Sequence, residues 1–217
     1  LIIESVSTNE HVPAFLAPLI FAGTSLSHLF GASVGREGAA LQLGGSIGHN
    51  FGELLHFDED DVRVLAMCGM TACFSALFGT PLTAAIFVLE VISVGAIRYN
   101  AFLPCIIASY SAFVTAGLWG VKPLVFTLVN EIPELSTASF LQVTGLAALC
   151  GLVGILFCVA IHSATHFSGK LFRNPYLRIA LGGLLMAVLT TVFGLYDYNG
   201  AGTDTVSYTH LRAHETL

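Results

Sequence analysis

The sequence is short of charge. Of its 217 residues only 10% are Asp, Glu, Lys or Arg, whereas 55% are hydrophobic. A soluble globular domain carries about 25% charged residues, so this composition excludes an ordinary soluble domain and indicates a membrane protein. The formal net charge is -6 and no basic stripe is present. Because binding to phosphates requires clustered Lys and Arg, the composition also excludes nucleic acid as a partner.

The sequence has no CxxC pair, no initial Met and no basic segment before its first apolar run. We therefore find no readable signal peptide and expect the chain to be a fragment of a longer protein. A cysteine in an apolar run is more often a small packing residue than a ligand or a disulfide partner. We predict packing positions for all five cysteines, which are Cys68, Cys73, Cys105, Cys150 and Cys158.

Long apolar runs are present, and they predict an all-α, multi-pass membrane protein. A simple transmembrane helix needs about 20 mostly apolar residues, and several of these runs are too short or too rich in glycine. Helices are predicted near 13–32, 38–55, 62–78, 81–97, 99–119, 139–167 and 176–196.

The run from 62 to 97 is interrupted at Gly79-Thr80-Pro81. Pro81 lacks a backbone donor and fits the first turn of a new helix, so two short helices are predicted to meet end to end inside the bilayer. Such a break survives in lipid only where the freed backbone is buried in protein or lines a cavity. Broken helices of this kind are typical of transporters and channels.

The basic residues predict the orientation of the chain. Arg98 and the group Lys170, Arg173 and Arg178 flank membrane segments, whereas the segment 56–61 is acidic. By the positive-inside rule, the 97–99 turn and the 168–178 loop are predicted to be cytoplasmic and the acidic loop to face outside.

Glycines recur every fourth residue at Gly44, Gly48 and Gly52, a spacing that predicts close helix packing in membranes. A weaker face of the same kind is formed by Gly145, Gly151 and Gly154. The membrane composition ends at about residue 205. We interpret 206–217 as a polar tail that is not native, with an ordinary soluble tail as the alternative.

Three features are weak candidates for chemistry. Ser46 lies in a GxSxG pattern, but a nucleophile elbow needs a preceding strand where this sequence predicts a helix. His162 and His166 have the i, i+4 spacing of metal ligands without a third ligand. Glu90 faces either interfacial water or an ion path.

The strongest candidate is an Arg-Glu pair between two glycines, in the segment 35–38 at the start of a predicted helix. The first turn of a helix offers unpaired N–H groups and a partial positive charge, which together attract anions. Glu37 is itself an anion that would occupy this site and release it to a mobile anion when protonated or displaced. The alternative is a capping Glu37 paired with Arg36. A charged residue inside a membrane favours the functional interpretation.

Two motifs carry a family resemblance. GREGAALQLGGSIG, followed by CFSALFGTPLTAAIFVLE, resembles the CLC family of chloride channels and proton-coupled chloride/fluoride antiporters over about residues 10–200. The resemblance implies tilted, broken helices in two inverted repeats, a homodimer through helices within about 81–119, and Glu37 as the gating glutamate. It implies no enzyme activity, cofactor or metal. It assigns anion binding to the backbone of Gly35, Arg36, Glu37, Gly38, Ala39, Ala40 and Leu41.

The sequence departs from the family pattern in three respects. Ala39 replaces the usual proline of GREGP, and Val91 stands where many exchangers have an internal proton glutamate, with Glu90 beside it. In the lack of this glutamate and in its FGTPL turn, the sequence resembles the fluoride-exporting branch of the family. The central-site serine of GSGIP, the second-half GxFxP and a late tyrosine are absent from the 217 residues. The resemblance therefore implies about half of a membrane domain.

The sequence thus predicts halide transport, of chloride in the first place, through a CLC-type pore gated by Glu37 in the plasma (cell inner) membrane. A fluoride/proton antiporter of the same family is the alternative. A membrane-embedded hydrolase that uses Ser46 is a remote one.

Overall fold

The computed structural model describes residues 11–32, 34–92, 98–121, 123, 136–172, 174–194, 196 and 199–200, and all regular structure in these ranges is helical. The chain divides into two units. The first comprises Leu1–Thr127 with Tyr198–Ala213, and the second Leu128–Asp197 with His214–Leu217. The described helices are α1 (Leu16–Leu29), α2 (Glu37–Leu54), α3 (Glu59–Phe78), α4 (Pro81–Ile92) and α5 (Tyr99–Leu118) in the first unit, and α6 (Thr137–Leu171) and α7 (Pro175–Phe193) in the second.

Helix α3 begins earlier than predicted, because the acidic segment caps it. The side chain of Asp58 accepts a hydrogen bond from the Asp61 backbone N–H at 2.9 Å. The three acidic residues of 59–61 occupy the first turn, where the positive end of the helix stabilises them. The prediction of an acidic loop over 56–61 was therefore wrong for its second half, which is helical.

The predicted break in the 62–97 run is confirmed. Helix α3 ends at Phe78, Gly79 adopts a left-handed conformation with φ of 68°, and α4 begins at Pro81. The Thr80 carbonyl accepts the first hydrogen bond of α4, from the Ala84 N–H at 2.9 Å. Residues 93–97, which were predicted to continue this helix, lie outside the described residues.

We expect Gly79→Ala to destabilise the protein by about 1–2 kcal/mol, because a side chain disfavours the left-handed conformation. A Cβ atom at this position would also lie 2.8 Å from the Pro123 ring. Thermal unfolding in detergent measures the effect as a lower Tm. The matched control is Gly23→Ala, inside α1, where an added Cβ meets nothing within 4 Å. Equal Tm values for the two variants would contradict the prediction.

Helices α2 and α3 cross at very short range, as the glycine spacing predicts. A Cβ atom on Gly44 would collide with the carbonyl of Gly69, and one on Gly48 with the carbonyl of Leu65. The predicted glycine contact face of α2 is thus confirmed. The weaker glycine face predicted on α6 is not confirmed. Among the described residues, Cβ atoms added at its glycines 145, 151 and 154 would meet nothing within 4 Å.

The core of the first unit is built around α3. Met67 and Met70 are fully buried, and the rings of Phe74 and Phe87 stack at 4.8 Å between α3 and α4. The Ser75 hydroxyl donates to the Ser109 carbonyl at 2.8 Å and ties α3 to α5. The buried core comprises Val12, Leu41, Ala66, Met67, Met70, Ala85, Val88, Leu89, Ile92, Ala101 and Cys105.

The second unit contains the longest helix. Helix α6 has 35 residues and is about 52 Å long, so it exceeds the roughly 30 Å hydrocarbon core and needs tilt or an extension beyond it. By length and composition, α3, α5, α6 and α7 are long and apolar enough to cross a membrane, whereas α1 and α4 are shorter.

The cysteine prediction holds for three residues of five. Cys105 is buried and Cys68 and Cys73 are partly buried, in the first unit. Cys150 and Cys158 are exposed, so the prediction that they pack was wrong. The reason is that α6 has no buried residue in the described structure.

Some predictions lie outside the described residues. The structure does not describe Arg173, one of the basic residues used for orientation, nor the tail 206–217. The proposed domain boundary at 205 and the cytoplasmic and external assignments stay predictions.

Candidate functional site

The candidate site is the amino-terminal turn of α2. This helix begins at Glu37, within one residue of the predicted start. Arg36 precedes it in a helical conformation and contributes no side-chain cap. Its carbonyl accepts the Ala40 N–H at 2.9 Å. The N–H groups earlier in the turn have no acceptor within the helix. A Cβ atom added at Gly38 would meet nothing within 4 Å, so the approach to this backbone is open.

The carboxylate of Glu37 folds back over Gly35. A Cβ atom on Gly35 would lie 2.5 Å from Oε2 of Glu37 and 3.7 Å from its Cδ. Glycine therefore leaves the space that the carboxylate occupies. This position puts a negative charge beside the positive end of α2, which is a favourable arrangement.

The structure does not support the alternative in which Glu37 pairs with Arg36. The ion pairs found among the described residues do not join these two side chains. Arg36 instead contributes to the wall of a cavity.

A cavity of about 370 Å³ adjoins the same turn. Its lining is mostly apolar, and its polar residues are Thr24, Ser25, His28 and Arg36. The imidazole Nε2 of His28 is buried and has no hydrogen-bond partner among the described residues. The lining residues are Ile20, Phe21, Thr24, Ser25, His28, Arg36, Ala39, Ala40, Leu43 and Leu77.

The residues predicted from the sequence to bind an anion belong only to the α2 side of this cavity. Three of the seven residues assigned to anion binding line it, namely Arg36, Ala39 and Ala40. Residues 35–38 are exposed and Leu41 belongs to the buried core. The α1 wall was missed because nothing in the α1 sequence, apart from a histidine in an apolar run, indicates that it faces α2.

The remaining candidates lie elsewhere. Ser46 is fully buried in the middle of α2, and its carbonyl accepts a hydrogen bond from Asn50 at 2.7 Å. No strand precedes it in the described chain, so it does not form a nucleophile elbow. His162 and His166 are exposed on α6, and no third ligand from the described residues completes a metal-binding group with them.

Glu90 and Val91 differ in their surroundings. Glu90 is exposed near the end of α4, whereas Val91 is partly buried and packs against the core. The position that the family resemblance relates to an internal proton glutamate therefore holds an apolar packing residue.

Comparison with known proteins identifies the family. The family model described as "Voltage gated chloride channel" matches residues 1–212. The chain belongs to this CLC family. A chloride/fluoride channel protein of Pseudomonas syringae pv. tomato is 37% identical over 199 residues, which are 91% of this chain and 44% of the relative. An H(+)/Cl(-) exchange transporter ClcA of Vibrio cholerae is 29% identical over 178 residues, 79% of this chain and 37% of the transporter.

A solved structure has the same fold. The crystal structure of a CLC-type fluoride/proton antiporter matches with a TM-score of 0.89 at 32% identity, over 97% of this chain and 53% of that one. The chain thus spans about half the length of the CLC proteins that it matches. The predictions of an all-α CLC-type fold and of an integral membrane protein are confirmed.

Proposed function

We propose that this chain forms part of a CLC-type halide transport protein in which Glu37 gates an anion site at the amino terminus of α2. The observation that carries the proposal is the placement of the Glu37 carboxylate over Gly35. There the carboxylate lies beside the positive end of the helix, to which a mobile anion would also be attracted. Arg36, Ala39 and Ala40 of the same turn line the adjoining cavity.

The mechanism follows from competition between two anions. While Glu37 is ionised, its carboxylate stays at the helix terminus and excludes the halide. Protonation removes the charge, so the attraction to the helix end is lost and the side chain yields its place. A halide then binds to the backbone N–H groups, and loss of the proton returns the carboxylate and expels the halide.

A fluoride/proton antiporter is the second candidate within the family. The packing of Val91 against the core favours it, because the family resemblance implies that many exchangers have an internal proton glutamate at this position. Two of the similar proteins are described as a chloride/fluoride channel protein and a fluoride/proton antiporter. Chloride remains the first candidate of the proposal and fluoride the alternative.

The proposed assembly is a homodimer that uses α4 and α5. Both helices carry large apolar side chains exposed on the described chain, among them Leu82, Ile86, Leu103 and Ile107, each at least half exposed. Such a surface fits either lipid or a second subunit, and the family resemblance favours the subunit. The proposed location is the plasma (cell inner) membrane.

Efflux from liposomes tests this function. We expect the full-length protein, reconstituted in vesicles loaded with chloride or fluoride, to release at least one of them far faster than protein-free vesicles. A pH gradient should accelerate efflux if protons are coupled, and the preferred halide should be the one released faster. Both halides retained, with a hydrolytic activity that Ser46→Ala abolishes, would contradict the proposal and support the hydrolase.

A further inference from the structure

Three potential metal ligands meet near the carboxyl-terminal end of α2, far along the helix from Glu37. His49 and Glu53 lie one turn apart on α2, and His11 comes from the segment before α1. The Glu53 Oε1 atom lies 2.8 Å from His11 Nδ1 and 3.3 Å from His49 Nε2. One ligand atom from each residue lies within 4.8 Å of the other two.

One carboxylate oxygen is shared by the two imidazoles, because Glu53 Oε1 lies within contact distance of both His11 Nδ1 and His49 Nε2. The backbone N–H of Val12 also makes a long hydrogen bond to His49 Nε2, at 3.4 Å. An imidazole nitrogen has one lone pair, so a cation bound at Nε2 would replace this long hydrogen bond.

The donor set and spacing fit a transition metal. Zinc binds His nitrogen and carboxylate oxygen at about 2.0–2.2 Å in a tetrahedron, which separates neighbouring donors by about 3.3 Å. The His49–Glu53 distance of 3.3 Å matches that separation, whereas the His11–Glu53 distance of 2.8 Å is shorter and the exposed His11 side chain has room to adjust. Two imidazoles and one carboxylate suit Zn²⁺ or similar ions better than Ca²⁺ or Mg²⁺, which take oxygen ligands.

We propose that His11, His49 and Glu53 bind one divalent transition-metal ion of the Zn²⁺ type. His49 is 8% exposed, which fixes one ligand within the protein. The side chains of His11 and Glu53 are 70% and 37% exposed, so water can reach the fourth coordination position. The ion fastens the segment before α1 to α2 beside Val12, which is fully buried in the core.

This site was not predicted from the sequence, which gave an expectation of no metal. The only local signal is the i, i+4 spacing of His49 and Glu53, and that spacing is common on helices. The third ligand lies far upstream, so only the folded chain brings it into place.

Calorimetric titration of ZnCl₂ into the full-length protein, purified in detergent without a polyhistidine tag, tests the proposal. We expect one Zn²⁺ per subunit. Loss of an outer-shell partner of a metal ligand weakens binding by about 10–100-fold. His11→Ala, which removes a ligand atom, and Glu53→Ala, which removes the carboxylate, should therefore each weaken it by at least about 100-fold. Mg²⁺ should not compete. His11 is the most exposed of the three, so His11→Ala should keep the Tm of the metal-free protein.

Two controls locate the ion. His56→Asn, beyond the end of α2, and His162→Ala, on α6, should leave Zn²⁺ affinity within about twofold, because neither residue belongs to the cluster. Absence of saturable binding up to about 1 mM Zn²⁺ would mean that the three side chains only form hydrogen bonds with one another. Binding that survives His11→Ala but not His162→Ala would place the ion elsewhere. Either result overturns the proposal. Binding needs no halide flux, so it fails or succeeds separately from the transport function.

Discussion

Replacement of Glu37 by Ala is expected to abolish the pH dependence of halide efflux from liposomes. Without the carboxylate, no titrating anion competes for the helix terminus, so the ratio of efflux rates at acid and neutral pH should fall towards one. A carboxylate on a short tether competes at an effective concentration in the millimolar range. We therefore expect the apparent halide affinity to rise several-fold. Efflux measured with a halide electrode over a series of pH values and halide concentrations gives both quantities.

Two further variants test whether the pH dependence requires the carboxylate of Glu37 and its position over Gly35. Asp61→Asn removes one exposed carboxylate from the first turn of α3 and should leave the pH dependence intact. Gly35→Ala keeps Glu37 but places a methyl group 2.5 Å from its Oε2, so it should shift the pH dependence towards that of Glu37→Ala while the fold is retained. An unaltered pH profile in Glu37→Ala would contradict the gating role.

The second large effect is expected at the crossing of α2 and α3. Gly48→Ala should lower the free energy of unfolding by at least about 2 kcal/mol, because the new methyl group collides with the main-chain carbonyl of Leu65 and the helices must separate. Overpacking of a well-packed core typically costs about 1–3 kcal/mol. The cost is at the upper end here because main-chain atoms move aside less easily than a side chain does. Thermal or denaturant unfolding in detergent measures the loss.

The matched substitution is Gly151→Ala on α6, where an added Cβ meets nothing within 4 Å. Alanine is the better helix former by about 1 kcal/mol, so this variant should be as stable as the parent or more so. If Gly48→Ala unfolds at the same temperature as Gly151→Ala, the close approach of α2 and α3 is not what stabilises the first unit.

The helix pattern was largely predictable from local chemistry. The break at Gly79 and Pro81 follows from the backbone limits of proline and glycine, and the start of α2 follows from a glycine-flanked Glu before an apolar run. The start of α3 was missed by three residues, because Asp58 to Asp61 was interpreted as a loop on charge alone. The hydrogen bond that the Asp61 N–H donates to the Asp58 side chain shows that the same acidic residues initiate the helix.

The candidate site was predictable only in part. The sequence indicates an anion-attracting helix terminus, because N–H groups, glycines and a carboxylate are adjacent along the chain. It contains no information on what lies across from that turn. The α1 wall with His28 depends on the packing of α1 against α2.

The sequence by itself determined that this is an all-helical membrane protein of the CLC family with a carboxylate at a helix start. These features depend on composition, apolar run length and residues that are neighbours in the chain. The tertiary structure decided which residues meet across the fold: the α1 and α2 walls of the cavity, the glycine crossing of α2 and α3, and the His11, His49 and Glu53 cluster. Contacts between distant segments depend on helix packing, and a residue pattern within one helix does not specify its partner.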